Sequence, residues 1–259
     1  MSGVSGAPVV RALAVTAVKG TRLLQAESIE LTRAGAQGNR EFFVIDERDH
    51  MRNGKQLGAL QTVIASYTAP ELTLVFPDGR QVSGPVELGD AVNARFYSRT
   101  VQGRLVLGPW SEALSAHVGE SVRLLHGDGA VDRGARGGAS LISRASVARL
   151  ASEAGEDDVD ARRFRMLIEI DGVAAHEEDG WVGRTASIGE ARIRWGGHVG
   201  RCLVTSRDPE TGCMDLPTLD LLREYRAMAD TSEPLPFGIY GKVVRPGAIK
   251  VGDPVLTVA

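Results

Sequence analysis

The stretch GHVGRCLVTSRDPETGC, residues 197–213, holds both cysteines of the 259-residue chain. An apolar run from Cys202 to Thr205 leads into Asp208-Pro209-Glu210-Thr211-Gly212, a turn sequence in which the aspartate caps its own backbone. Residues 203–206 read as a strand feeding that turn. Cys202 then has two readings: a small hydrophobe buried at a strand start, or a sulfur placed for chemistry as a thiolate ligand or nucleophile. Cys213, beyond the turn, reads as structural or incidental.

Short strands surround this stretch. Runs at 9–18, 27–32, 41–46, 63–67, 72–76 and 80–83 are apolar or alternating, with Gly, Pro, Asn and Asp between them and Pro77-Asp78-Gly79 as a hairpin turn. Strands at this spacing predict a small barrel or sandwich. Helices are predicted at 112–118, at 140–154, where Leu141, Ile142, Val147, Leu150 and Ala151 recur at helical intervals, and at 219–228. Further strands are expected at 164–170, 186–188, 191–195, 236–244 and 249–258, with Gly189-Glu190 and Pro246-Gly247 as turns. The composition changes at 119–138, the best boundary between two β-rich halves. His176-Glu177-Glu178-Asp179 reads as a solvated acidic loop.

Composition narrows the function classes. With 43% hydrophobic residues, 24% charged and a net charge of −3, the chain reads as an ordinary globular protein with no bulk attraction for nucleic acid or an anionic membrane. No apolar run is long enough to span a bilayer, and MSGVSGAPVV lacks the pattern of a secretory signal. A cytoplasmic location with reduced thiols is the expectation. The five histidines are scattered and no C-x-x-C occurs, which gives no zinc pattern.

Several stretches together resemble the MOSC domain family. Arg163-Phe164-Arg165 is similar to its RFRPN segment, and Trp181-Val182-Gly183 followed by Ile188-Gly189 to its W-x-G…I-G stretch. Residues 201–212 resemble its RCxxTTxDPxTG motif, and Phe237-Gly238-Ile239-Tyr240 with 246–255 its closing segment. The front half is similar to the family's N-terminal companion domain: Ala17-Val18-Lys19-Gly20 stands where that domain has PVKS, and 38–46 resembles its DRxWxVxD strand. The resemblance implies a mainly β protein with a few helices, in which a smaller β-barrel-like domain (1–118) precedes a MOSC β-barrel (119–259), with the site in the cleft between them.

The resemblance also implies a function. In such proteins a molybdopterin lies in the cleft and a cysteine ligates the metal; Cys202 is the matching position, both catalytic and metal-ligating. Lys19, Arg40 and Arg165 match the cofactor-binding cations, with Arg suited to paired phosphate contacts and Lys to a point charge. The implied activity is reduction of N-hydroxylated small molecules, with electrons from a separate donor protein. The same family also brings an association with pyridoxal phosphate binding. Arg201 is expected to favour a thiolate at Cys202 if its side chain turns that way, while His198, Thr205 and Ser206 are secondary pocket candidates.

Three places depart from the pattern: Gly20 replaces a serine, Met166-Leu167 replace Pro-Asn, and Arg136-Gly137, within the loop from Arg133 to Gly138, replaces a small polar pair. Each lost buried polar contact costs about 1–3 kcal/mol. The glycine- and arginine-rich loop is either a compensating anion site or a linker. The departures keep two other functions in play. One is a metal-free protein with Cys202 as persulfide carrier or nucleophile in sulfur transfer or C–S bond chemistry; the other is a non-catalytic carrier module.

Overall fold

The structure, a computed structural model, describes residues 6–127, 134–231 and 233–258. The expectation of a mainly β chain with a few helices is borne out. Eight strands form one strongly curled sheet in the order Val255–Val258, Thr185–Ile188, Ala191–Gly200, Pro236–Arg245, Ala139–Ser143, Ile168–Asp171, Val9–Val15, Leu24–Ala26. All neighbours are antiparallel except Ala139–Ser143 against Ile168–Asp171. The curl brings the seventh strand back towards the first: Val10 N donates to Asp253 O at 2.9 Å and Val255 N to Pro8 O at 2.7 Å. Inside lie Leu13, Leu31, Leu141, Ile168, Ile193, Trp195 and Ile239, all at most 1% exposed.

A five-stranded sheet stands beside it, in the order Glu87–Phe96, Arg99–Leu107, Arg123–Gly127, Phe42–Ile45, Met51–Arg52. Its inner strand is apolar throughout because both faces are covered. Phe42 and Val44 pack into one core with Leu60, Leu74 and Trp110, while Phe43 and Ile45 pack on the other face with Phe96 and Leu125. A three-stranded sheet, Ile64–Thr68, Glu71–Val75, Gln81–Pro85, completes this part. Residues 16–22 leave the large sheet and run between these two: Ala17 N donates to Ala65 O, Arg22 N to Val63 O and Lys19 N to Phe42 O.

The structure corrects three local readings. Residues 139–143 are a strand and the helix begins only at Arg144 (Arg144–Ala154), where the Ser143 hydroxyl accepts from Ser146 N at 3.1 Å. Helical spacing of Leu141 and Ile142 is indistinguishable from a buried strand over so short a run. The segment from Leu203 to Ser206 is a 3-10 turn and not a strand. The acidic stretch at 176–179 is only partly solvated: Glu177 is exposed, but Glu178 is fully buried, its Oε1 accepting from Ser143 N and Ser146 Oγ at 3.0 and 2.7 Å. Burial pushes its carboxyl up, and those bonds pull it partly back.

The Asp-Pro-Glu-Thr-Gly turn forms as expected and latches the two parts together. Asp208 Oδ1 accepts from Glu210 N, Thr211 N and Thr211 Oγ1 at 3.0, 2.7 and 2.9 Å. The Glu210 carboxylate bridges Arg22 at 2.7 Å and Arg162 at 2.6 Å. Gly212, at φ +71°, lies so close to the front part that a Cβ would sit 2.1 Å from Gly58 O. Gly212→Ala therefore combines left-handed strain with a backbone clash and is expected to lower stability by about 2–4 kcal/mol, measured by urea unfolding.

Candidate active site

Where residues 16–22 meet the end of strand Ala191–Gly200, a cleft of about 460 Å³ opens. Lys19, Arg40, Arg165 and Cys202 all line it. They come from four separate stretches of the sequence, and each is fixed by its own backbone. The Lys19 loop is closed by a 2.6 Å hydrogen bond between the Thr16 and Thr21 hydroxyls, with Thr21 Oγ1 also donating to Val18 O at 2.7 Å. Gly20 sits at φ +100°, where a Cβ would meet Gly54 N at 3.1 Å. A serine there would be strained, which gives the first departure from the family pattern a local reason.

Arg40 and Arg165 share an uncommon feature, left-handed backbone at φ +55° and +54°. Arg40 Nη2 donates to Arg165 O at 2.8 Å and Arg165 Nη2 donates to Thr21 O at 2.7 Å. The two residues are thereby chained to the Lys19 loop. Burial, then the neighbouring Arg165, pulls Arg40 down to about 9, and burial pulls Arg165 to about 10, with the Cys202 charge opposing. Both stay charged at neutral pH. Lys19 falls to about 7, chiefly by burial and then by Arg40 and Arg165, with the Cys202 charge again opposing.

Cys202 is exposed at the cleft, immediately before the 3-10 turn, and its carbonyl accepts from Thr205 N and Thr205 Oγ1, both at 3.0 Å. Arg201, the expected electrostatic neighbour, lines the same cleft and also ties backbone together. Its Nε donates to Phe237 O at 2.8 Å, Nη1 to Phe164 O at 2.7 Å, and Nη2 to Phe237 O and the Met166 sulfur. Arg163 is likewise structural, paired through two 2.7 Å bonds with Asp215.

Thr205, Ser206 and His198 are buried and lie outside the cleft lining. Of the two departing apolar residues, Met166 lines the cleft whereas Leu167 is buried in the large core. Arg133 lies outside the described residues; Gly137 reaches the cleft, and Arg136 is exposed away from its lining.

The sequence reading missed Asn53, Lys55 and Tyr97, which complete the wall on the front side. Asn53-Gly54 is a recognisable turn pair, but Tyr97 sits at the tip of the hairpin Glu87–Phe96/Arg99–Leu107, which no glycine at its tip announces. Tyr97 Oη accepts from Asn53 Nδ2 at 2.9 Å. Burial raises the phenol, the Asn53 bond lowers it, and the Cys202 charge raises it again.

Five lining residues are cationic (Lys19, Arg40, Lys55, Arg165, Arg201), and among the described residues no carboxylate lines the cleft. Lys19 and Arg40, each lowered in part by cationic neighbours, call for an anionic ligand, and an exposed soft sulfur beside them suits a redox metal. This donor set fits a molybdopterin. Among the described residues there is no cluster of three His, Cys, Asp or Glu that would hold a metal through protein ligands alone.

The sequence pattern of the MOSC domain family matches residues 128–256. Mitochondrial amidoxime-reducing component 1 of Danio rerio is 28% identical over 275 residues, covering 95% of this chain and 84% of that protein. Mitochondrial amidoxime reducing component 2 of Bos taurus is 29% identical over 276 residues, covering 93% and 80%. Among solved structures, the YUAD protein from Bacillus subtilis aligns over 97% of this chain and 96% of its own at 11% identity, with a TM-score of 0.49.

Lys19 loses its charge as the pH rises through about 7, so the cleft attracts anions more strongly below that pH than above it. Sulfate keeps its charge over this range and serves as the probe. Its affinity is expected to fall about 5–10-fold between roughly pH 6 and pH 8.5 by calorimetry, and the decline should flatten in Lys19→Met.

Proposed function

We propose that this chain, which belongs to the MOSC domain family through residues 128–256, is a molybdenum-cofactor-dependent reductase of N-oxygenated small molecules with Cys202 as metal ligand. The observation that carries this reading is the convergence of Cys202, Lys19, Arg40 and Arg165 on one cleft with a cationic lining. The names of the relatives, amidoxime-reducing components, supply the substrate class and support an enzyme role.

Within this reading each residue has a task set by its chemistry. Arg40 and Arg165 bind the phosphate of the cofactor, and the carbonyl bonds that chain them together orient them in advance. Lys19 adds a charge that an anionic neighbour strengthens, since an anion opposes the repulsion that lowers it. Cys202 supplies a thiolate from a backbone position held by Thr205. A molybdenum centre held by Cys202 would supply two-electron chemistry for reducing an N–O bond, with two protons taken up and the oxygen released as water, while the protein provides position and charge.

The 259 residues hold two cysteines, too few for a four-cysteine iron–sulfur cluster. Electrons therefore come from outside this stretch, and a separate donor protein is the proposed partner. No helix among the described residues is long and apolar enough to cross a membrane. A cytoplasmic location is proposed on the two unpaired thiols, and cell fractionation decides between it and the mitochondrial setting in the relatives' names.

The deciding experiment is metal and pterin analysis of protein made in a host that synthesises the cofactor, together with amidoxime reduction by a supplied electron donor. Wild-type protein is expected to hold about one molybdenum per chain and to turn over. Cys202 is exposed, so Cys202→Ala should fold normally yet lose both metal and activity. Wild-type protein without molybdenum would overturn the reading. A one-sulfur mass increase on Cys202 in such protein would favour the sulfur-transfer alternative.

A further inference from the structure

Tyr97 is held in a way that cleft geometry alone does not require. It occupies the tip of the long hairpin with φ +52°, a conformation that costs a residue with a side chain about 1–2 kcal/mol and that glycine or asparagine adopts more readily. The tip is anchored from behind, where Arg95 N donates to Asp49 O at 2.8 Å. Asn53 then fixes the phenol. Its Oδ1 accepts from Lys55 N at 2.8 Å, so the amide cannot be turned round, and its Nδ2 must face Tyr97 Oη at 2.9 Å.

The direction of that bond matters. Asn53 is the donor, so the tyrosine oxygen is the acceptor and its own O–H is left to donate elsewhere. The side chain is 60% exposed and lines the same cleft as Cys202. Phenol and sulfur thus face one cleft of about 460 Å³, and among the described residues no hydrogen bond joins them. A neutral donor at a fixed point beside a cationic floor suits an uncharged ligand that carries one exposed oxygen.

Resting on the reductase reading above, we propose that Tyr97 donates its O–H to the N–O oxygen of the substrate and so selects N-oxygenated compounds over their reduced counterparts. No proton is transferred in this role; the phenol orients the oxygen and contributes affinity. The reduced product lacks that oxygen and makes no such bond. Substrate binding thus depends on the hydroxyl, and product binding does not.

The test is calorimetric titration of the cofactor-loaded protein with an aryl amidoxime and with the matching amidine, alongside steady-state kinetics. In Tyr97→Phe the amidoxime Kd should rise about tenfold while the amidine Kd and the molybdenum and pterin content stay at wild-type values. KM should rise with it. Tyr97→Asn, whose new residue tolerates the left-handed turn, should show the same loss without a lower melting temperature. Unchanged amidoxime affinity in Tyr97→Phe, or equal loss for amidoxime and amidine, would overturn the assignment. A wild-type protein that holds the cofactor yet neither binds nor reduces amidoximes overturns the reductase reading itself, and the role of Tyr97 with it.

Discussion

The chain of donors from Arg40 to the Arg165 carbonyl, and from Arg165 to the Thr21 carbonyl, is the constraint on which the cleft depends. Like charges a few ångströms apart repel by about 4 kcal/mol at an effective dielectric near 20. A fold does not gather Lys19, Arg40 and Arg165 without compensation. Part of it comes from main-chain carbonyls, which the left-handed backbone at both arginines brings within reach. A site built this way is ordered in advance for an anion and needs little reorganisation when one arrives.

Arginines elsewhere along the seam behave differently, and the contrast locates the site. Arg22 and Arg162 share the Glu210 carboxylate, and Arg163 is paired with Asp215. The Arg22–Glu210 pair joins the two parts, whereas Arg162–Glu210 and Arg163–Asp215 brace the second part from within. Their charges are neutralised; the partly exposed pairs at Glu210 add little stability individually, while the Arg163 side chain that pairs with Asp215 is buried. The triplet Arg163-Phe164-Arg165 divides the labour within three residues: an ion pair, a core ring packed on Phe237, and a cleft cation. The switch to left-handed backbone at Arg165 carries the chain from one role to the next.

Much of this was legible in the sequence, for reasons specific to each segment. Alternation marked the outer strands, and the Asp208 turn announced itself because an aspartate that caps its own backbone is a local, self-sufficient device. The cysteine motif and the matched cations pointed to four residues that the fold brings to one place. What escaped depended on contacts distant in sequence. Glu178 looks solvated beside Glu177 and Asp179, and only the approach of Ser143 and Ser146 shows why it can be buried. The hairpin Glu87–Phe96/Arg99–Leu107 stayed hidden because Gly89 and Asp90 sit in a bulge between Leu88 and Ala91, which breaks the alternation. Arg201 does more than its adjacency to Cys202 suggested: it lines the same cleft, and its guanidinium also binds the Phe164 and Phe237 carbonyls, which no local pattern announces.

The departures from the family pattern become intelligible in the same physical terms. Gly20 accepts a backbone angle that packs the Lys19 loop against Asn53-Gly54, so a hydroxyl is exchanged for a closer approach of two loops. That approach sets Asn53 beside the cleft, where its amide fixes Tyr97. Met166 puts a thioether where the pattern has proline, and its sulfur accepts from the Arg201 guanidinium that ties residues 164–166 to Phe237. Leu167 turns into the large core and leaves the cleft altogether. Small polar side chains of the pattern thus give way to close backbone packing at Gly20 and to a core side chain at Leu167. The loss is local and the cationic floor is untouched. On the proposed reading, recognition divides between a floor that holds an anion by charge and a front wall that reads an oxygen by hydrogen bonding.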